Sequence, residues 1–152
     1  MTHLKKGDKA PDFSAPDQNG KLHKLKDYRG NKLVLFFYPK ASTPGCTQEA
    51  KNLRDHAGEL EKAGYKIIGV SADSVRRQYN FSEKNGLPYP LLSDEDKKIV
   101  KAYGVWGPKK FMGREYEGIH RTTFIIDEKG VIERIIEKVK VKEHATQILD
   151  VQ

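Results

Sequence analysis

Leu33-Val34-Leu35-Phe36-Phe37-Tyr38 is an unbroken apolar and aromatic run, and Pro39 ends it. The run is too short to span a membrane, and it does not alternate with polar residues, so neither face is suited to water. It reads as a central strand covered on both faces, which makes the chain α/β. The flanking segments agree. Ala50, Leu53, Ala57 and Leu60 recur at three- and four-residue steps, which predicts one helix running from Cys46 to a stop at Gly64. Tyr65–Val70 is a second β run. Ser71–Ser74 leads into a helix over 75–85 that Asn85-Gly86 ends. Leu91–Asp94 predicts a short strand, followed by a helix near 95–103.

Asn19-Gly20 lies between two short extended pieces and predicts an N-terminal hairpin. Residues 104–118 read as glycine-rich and irregular. Thr122–Asp127 and Val131–Glu137, joined by Glu128-Lys129-Gly130, predict a second hairpin. A closing helix is expected around 143–151. Strand–helix alternation followed by a hairpin implies a central mixed sheet flanked by helices. The length, 152 residues, suits a single domain over 1–152.

Cys46 is the only cysteine, which excludes an intramolecular disulfide and a cysteine metal cage. The five histidines are scattered, and no metal or organic cofactor is implied. The net charge of +7 raises the question of nucleic acid or membrane binding. However, the basic residues are interleaved with acids and apolar positions, so the expectation is a solvated lysine surface with no nucleic-acid site and no membrane association. The N-terminus has no apolar signal core, and a lone thiol suits a reducing compartment, so cytoplasm is the expected location.

The lone thiol is well placed for chemistry. Cys46 follows Thr43-Pro44-Gly45, between the end of the buried strand and the start of a helix. In open α/β sheets, sites form beyond the carboxyl ends of strands. A helix N-terminus presents free N–H groups and partial positive charge, which favour a thiolate. Pro44 restricts Thr43 to extended conformations, and Thr43 can then offer its hydroxyl near the sulfur.

Pro39, Thr43 and Cys46 match the Pro-x-x-x-Thr-x-x-Cys pattern of peroxiredoxins. The longer string over 37–50, Phe-Tyr-Pro-Lys-x-x-Thr-Pro-Gly-Cys-Thr-x-Glu-Ala, resembles the bacterioferritin comigratory protein branch, also called PrxQ. Leu-Leu-Ser-Asp-Glu-Asp (91–96), Tyr-Gly-Val-Trp-Gly (103–107) and Gly-Ile-His-Arg-Thr-Thr-Phe-Ile-Ile-Asp (118–127) extend the likeness over nearly the whole chain. The resemblance implies a thioredoxin-like fold with an N-terminal extension. It also implies reduction of hydrogen peroxide and organic hydroperoxides by Cys46. Arg121 matches the family's arginine near the cysteine. Pro39 is implied to shield the thiolate, Thr43 to hold the peroxide in line with sulfur, and Arg121 to steady charge on the leaving oxygen.

The chain departs from many members of that branch at Lys51, where they carry a resolving cysteine, and there is no substitute elsewhere. The sulfenic acid formed on Cys46 therefore needs an external thiol: thioredoxin, glutaredoxin or a small thiol. A monomer or weak dimer is expected, as in much of the branch. The competing reading is a peroxide-sensing redox regulator on the same fold. A dithiol reductase is disfavoured by the missing Cys-x-x-Cys pair.

Overall fold

A computed structural model describes residues 1–150. The strands and helices are β1 (Ser14–Pro16), β2 (Leu22–Lys24), β3 (Lys32–Phe37), α1 (Pro44–Asp55), α2 (Ala57–Lys62), β4 (Tyr65–Ser71) and α3 (Val75–Asn85). They continue with β5 (Leu91–Ser93), α4 (Lys98–Ala102), β6 (Trp106–Phe111), β7 (Arg114–Ile119), β8 (Thr122–Ile126), β9 (Ile132–Ile136) and α5 (His144–Leu149). The central sheet has the order β5-β4-β3-β8-β9, with β3 in the middle. β3 runs parallel to β4 and antiparallel to β8, so the sheet is mixed. The fold is thioredoxin-like.

The apolar run of β3 divides between two cores by strand periodicity. Leu33, Leu35 and Phe37 pack on one face with Phe13, Leu25, Val100 and Tyr103. Val34, Phe36 and Tyr38 pack on the other with Leu53, Leu60, Phe81 and Ile148. Each such side chain, fully buried, contributes roughly 1.5–3 kcal/mol. Both faces are needed, which is why the run carries no polar alternation.

The boundaries depart from the sequence reading in four places. The helix expected from Cys46 to Gly64 starts earlier, at Pro44, and breaks at His56, which lies at φ −112° and ψ 12°. There the His56 ring takes up the Asn52 carbonyl that the helix would otherwise use alone. The helix expected near 95–103 is shorter, because the Asp94 carboxylate accepts from the Ile99 and Val100 N–H groups and sets the start.

Residues 104–118 are not irregular. β6 and β7 form a two-stranded antiparallel ribbon, reversed at Met112-Gly113, both with positive φ. Most of the ribbon is exposed, so burial imposes no apolar alternation on its sequence. Finally, α5 ends at Leu149 before Asp150, and residue 151 of the expected closing helix lies outside the described residues.

The N-terminal hairpin, the second hairpin and the helix over 75–85 stand where expected. Among the described residues no helix is long and apolar enough to cross a membrane.

Candidate active site

Thr43 is the N-cap of α1 and Pro44 its first residue, so Cys46 lies in the first turn. The Thr43 side chain does not cap the helix. Its hydroxyl donates instead to the Lys40 carbonyl at 2.7 Å, while its own carbonyl accepts from Thr47 N and Thr47 Oγ1. The amides of Gly45 and Cys46 belong to the first turn, which leaves N–H groups without intrahelical partners. The thiol is therefore at the positive end of a twelve-residue helix.

Arg121 reaches this turn from the residue just before β8. Its Nη2 donates to Cys46 Sγ at 3.4 Å, and its Nη1 donates to Glu49 Oε1 at 2.6 Å. One planar guanidinium thus bridges the sulfur and a carboxylate one helical turn further on. Burial opposes the Arg121 charge, but Glu49 and Cys46 outweigh it and push its pKa up, so the guanidinium stays charged. A side chain at position 45 would crowd it. A Cβ there would lie 3.3 Å from Arg121 Nη2, which accounts for Gly45.

The loop carrying Pro39 and Thr43 is held from below. Asp73 Oδ2 accepts from Ala41 N and from Ser71 Oγ, both at 2.7 Å. Gln78 Nε2 donates to Ser71 Oγ, and Tyr38 donates its hydroxyl to Gln78 Oε1. This buried chain of bonds ties the ends of β3 and β4 to α3 and fixes the loop that precedes α1.

Cys46 is only 1% exposed. A groove of about 430 Å³ opens beside the turn, with Pro39, Thr43, Trp106, Lys109, Tyr116 and Ile119 among its walls. The β6–β7 ribbon therefore supplies one side of it. Trp106 faces the groove, whereas Phe111 and Met112 sit exposed at the ribbon tip, 66% and 89% accessible.

Of the four residues expected at the site, Pro39 and Thr43 line the groove, and Cys46 and Arg121 meet at the first turn of α1 beside it. The sequence reading missed three others. Glu49 stood in the quoted string with no role assigned, yet it is fully buried and anchors Arg121. Burial pushes its pKa up to about 7, against the pull of Arg121. His144 lies behind it, with Nε2 3.5 Å from Glu49 Oε2. Burial holds His144 down to about 4, and the Arg121 and Arg134 charges push the same way against a bond to Gln147. Lys109 donates to the Ile119 carbonyl at 2.9 Å and lines the groove. Its pKa is lowered by burial and by Arg121. The Cys-x-x-Glu spacing was the only available signal for Glu49. His144 lies 95 residues from it in sequence, and no motif links them. His120, adjacent to Arg121, bonds to the Pro108 carbonyl and serves the ribbon.

Comparison with known proteins gives this geometry a family. Residues 6–135 match the AhpC/TSA family model. The chain is 47% identical over 150 residues to Peroxiredoxin Bcp of Escherichia coli, covering 99% of this chain and 96% of that protein. A putative peroxiredoxin bcp of Haemophilus influenzae is 45% identical over 150 residues, with 99% and 97% covered. Among solved structures, a cysteine-to-serine variant of Xylella fastidiosa PrxQ superposes with a TM-score of 0.92 at 32% identity, over 99% of this chain and 96% of that one. Xanthomonas campestris bacterioferritin comigratory protein superposes with a TM-score of 0.88 at 37% identity, over 98% and 95%. The chain belongs to the AhpC/TSA family, in its Bcp/PrxQ peroxiredoxin branch, and is a thiol-dependent peroxidase that acts on a peroxide with a thiol as reductant.

Proposed function

We propose that Cys46 reduces peroxides by a one-cysteine cycle in which residues 1–152 act as one domain. The Cys46 thiolate attacks one peroxide oxygen, and a sulfur–oxygen bond forms as the O–O bond breaks. The other oxygen leaves as water or alcohol after taking a proton, and Cys46 becomes a sulfenic acid. Charge grows on the leaving oxygen. The Arg121 guanidinium and the Gly45 and Cys46 amides are the donors that meet it. Thr43 keeps its hydroxyl hydrogen on Lys40, so its oxygen is left to accept a hydrogen bond from the incoming peroxide. Pro39 brings no N–H donor and walls the sulfur from water.

The observation that carries this reading is the 3.4 Å contact from Arg121 Nη2 to Cys46 Sγ at the start of α1. A buried structural thiol has no use for a charged guanidinium beside it.

The chain has one cysteine, so the sulfenic acid is closed by an outside thiol: one thiol displaces water to give a mixed disulfide, and a second releases Cys46. We assign thioredoxin as the first candidate reductant, with glutaredoxin and small thiols as the alternatives, and the cytoplasm as the compartment that supplies them. The apolar wall made by Trp106, Tyr116 and Ile119 favours organic hydroperoxides beside hydrogen peroxide. The related Xanthomonas protein, described with alkyl peroxide reduction activity, supports that preference. The acting form is a monomer or weak dimer, with no nucleic-acid or membrane partner.

The test is sustained turnover. Reduced protein is supplied with peroxide and, in turn, thioredoxin, glutaredoxin and a small thiol. Steady peroxide consumption with at least one donor, abolished in Cys46→Ser, is expected. A single stoichiometric oxidation with every donor would instead favour a peroxide-sensing regulator.

A further inference from the structure

Among the described residues, Glu49 Oε2 is the one buried side-chain nitrogen or oxygen atom with no hydrogen-bond partner. Its neighbour is His144 Nε2, 3.5 Å away, and both side chains are 0% exposed. Neither group is free to turn to water. The surroundings decide which His144 nitrogen carries hydrogen. Gln147 Oε1 accepts from Lys140 N at 2.9 Å, and Gln147 Nε2 donates to the Lys138 carbonyl at 3.0 Å. The amide orientation is thereby fixed, and Oε1 is the atom that faces His144 Nδ1 at 3.0 Å. Nδ1 must therefore donate, which leaves Nε2 of a neutral imidazole as an acceptor. A carboxylate oxygen and an imidazole acceptor then face each other with no hydrogen between them. One proton removes that conflict.

We propose that Glu49 and His144 share one proton in the reduced protein, held on Glu49 Oε2 against His144 Nε2, and that this proton keeps the Arg121 charge uncompensated at Cys46. Burial favours the neutral form of both groups, which puts the proton on the carboxyl rather than the imidazole. The charges around the pair agree. Arg121 faces it from the start of β8 and Arg134 from β9, and both disfavour a charged His144. From its own helix Glu49 has Cys46 one turn away, and the buried Tyr89 hydroxyl lies close by. Lys109 adds a further cation on the Arg121 side. Thr123 Oγ1, 2.8 Å from Nε2, donates its hydroxyl to the one lone pair of that nitrogen when Glu49 is ionised and shares this acceptor with the Glu49 hydroxyl when Glu49 is protonated.

The consequence is electrostatic, and it rests on the assignment of Arg121 made above. With the proton in place, Glu49 Oε1 still accepts from Arg121 and orients it, but the Glu49–His144–Arg121 cluster carries a full positive charge. When the proton leaves for solvent, the cluster is neutral, and both the thiolate and the leaving oxygen lose support. His144 is a positioning residue for the proton and touches neither sulfur nor peroxide.

The test uses infrared difference spectra of the full reduced chain across pH. A protonated-carboxyl carbonyl band is expected that vanishes as pH rises through about 7. Glu49→Gln should lack it. In His144→Leu the band should change frequency and vanish earlier, by on the order of one pH unit. His144→Gln keeps a polar group against Thr123 and serves if the leucine variant does not fold, with a smaller shift of the same sign. The rate of Cys46 oxidation, expressed per thiolate, should fall through the same pH in the wild type and lose that fall in Glu49→Gln. No carboxyl band assignable to Glu49 in acid solution would overturn the proposal, as would a band indifferent to His144. Failure of the Arg121 assignment would look different: the band would titrate as stated while Arg121→Ala oxidised at the wild-type rate.

Discussion

The fold buries two carboxylate–histidine pairs, and they are built to opposite ends. Asp17 and His23 sit in the N-terminal hairpin. Asp17 Oδ1 accepts from Asn19 N and Lys21 N, its Oδ2 bonds to His23 Nε2 at 2.7 Å, and His23 Nδ1 bonds to Tyr28 at 2.7 Å. Burial raises the Asp17 pKa, but the His23 bond and the two amides outweigh it, and the net shift is downward. Glu49 and His144 bring the same two functional groups, a carboxyl and an imidazole, yet one oxygen has no partner and the carboxyl is pushed up. Deeper burial at Glu49 and the larger number of donors at Asp17 together decide the difference. Where donors suffice, a buried carboxylate is an ionised strut. Where one is missing and an arginine faces the thiol, the carboxylate becomes a site for a mobile proton.

The largest test of this contrast is Arg121→Ala. It removes the only donor to the Glu49 side chain among the described residues and the donor to sulfur together, and oxidation of Cys46 by peroxide should slow ~10²–10³-fold in stopped-flow measurements. The matching change at the other pair is His23→Ala. It strips Asp17 Oδ2 of its partner and should cost about 1–3 kcal/mol in denaturant unfolding, while the oxidation rate of Cys46 stays unchanged. A slowed oxidation in His23→Ala would erase the distinction between strut and site.

A smaller effect separates the pairs by pH. From their ordinary values, an unfolded chain between pH 4.5 and 6.5 carries one proton on His144 and none on Glu49. The folded chain carries that proton on Glu49, so the pair adds no slope to stability in this window. In Glu49→Gln only the histidine remains. Its folded pKa is depressed, so the variant should lose stability relative to wild type as pH falls from 6.5 toward about 4. The slope is at most about 1.4 kcal/mol per pH unit. Asp17, with a depressed carboxyl, contributes stability that is present above its ordinary 3.8 and lost only as pH falls through its lower folded value. Unfolding of the wild type and Glu49→Gln across pH measures the difference directly. Smallest of all, Thr43→Val removes one neutral hydrogen bond to the peroxide and should slow oxidation by about tenfold or less.

Much of this was legible in the sequence, for physical reasons. The run at 33–38 could satisfy its apolar residues only as a strand buried on both faces, and it is the middle strand of the sheet. Ser74 and Gly86 cap their helix as short polar and glycine residues must, with Gly86 at φ 58°. The Pro39, Thr43 and Cys46 spacing marked a strand end and a helix start, both local features. The ribbon over 106–119 was missed because its exposed faces impose no periodicity. His144 was missed because its importance arises only when α5 packs against α1, where Asn52 bonds to the Lys142 carbonyl and to Ala145 N. A buried pair formed by two distant helices leaves no spacing to read.

The most direct measurement is the reaction of Cys46 itself. Reduced wild type and Arg121→Ala are each mixed with one equivalent of hydrogen peroxide, and the mass of the Cys46 peptide is followed by rapid quench beside free cysteine. The wild type should gain one oxygen far faster than free cysteine, and Arg121→Ala should lose most of that advantage. A wild-type rate like that of free cysteine would contradict an activated Cys46, because the helix start and the guanidinium would then not activate the thiol they surround.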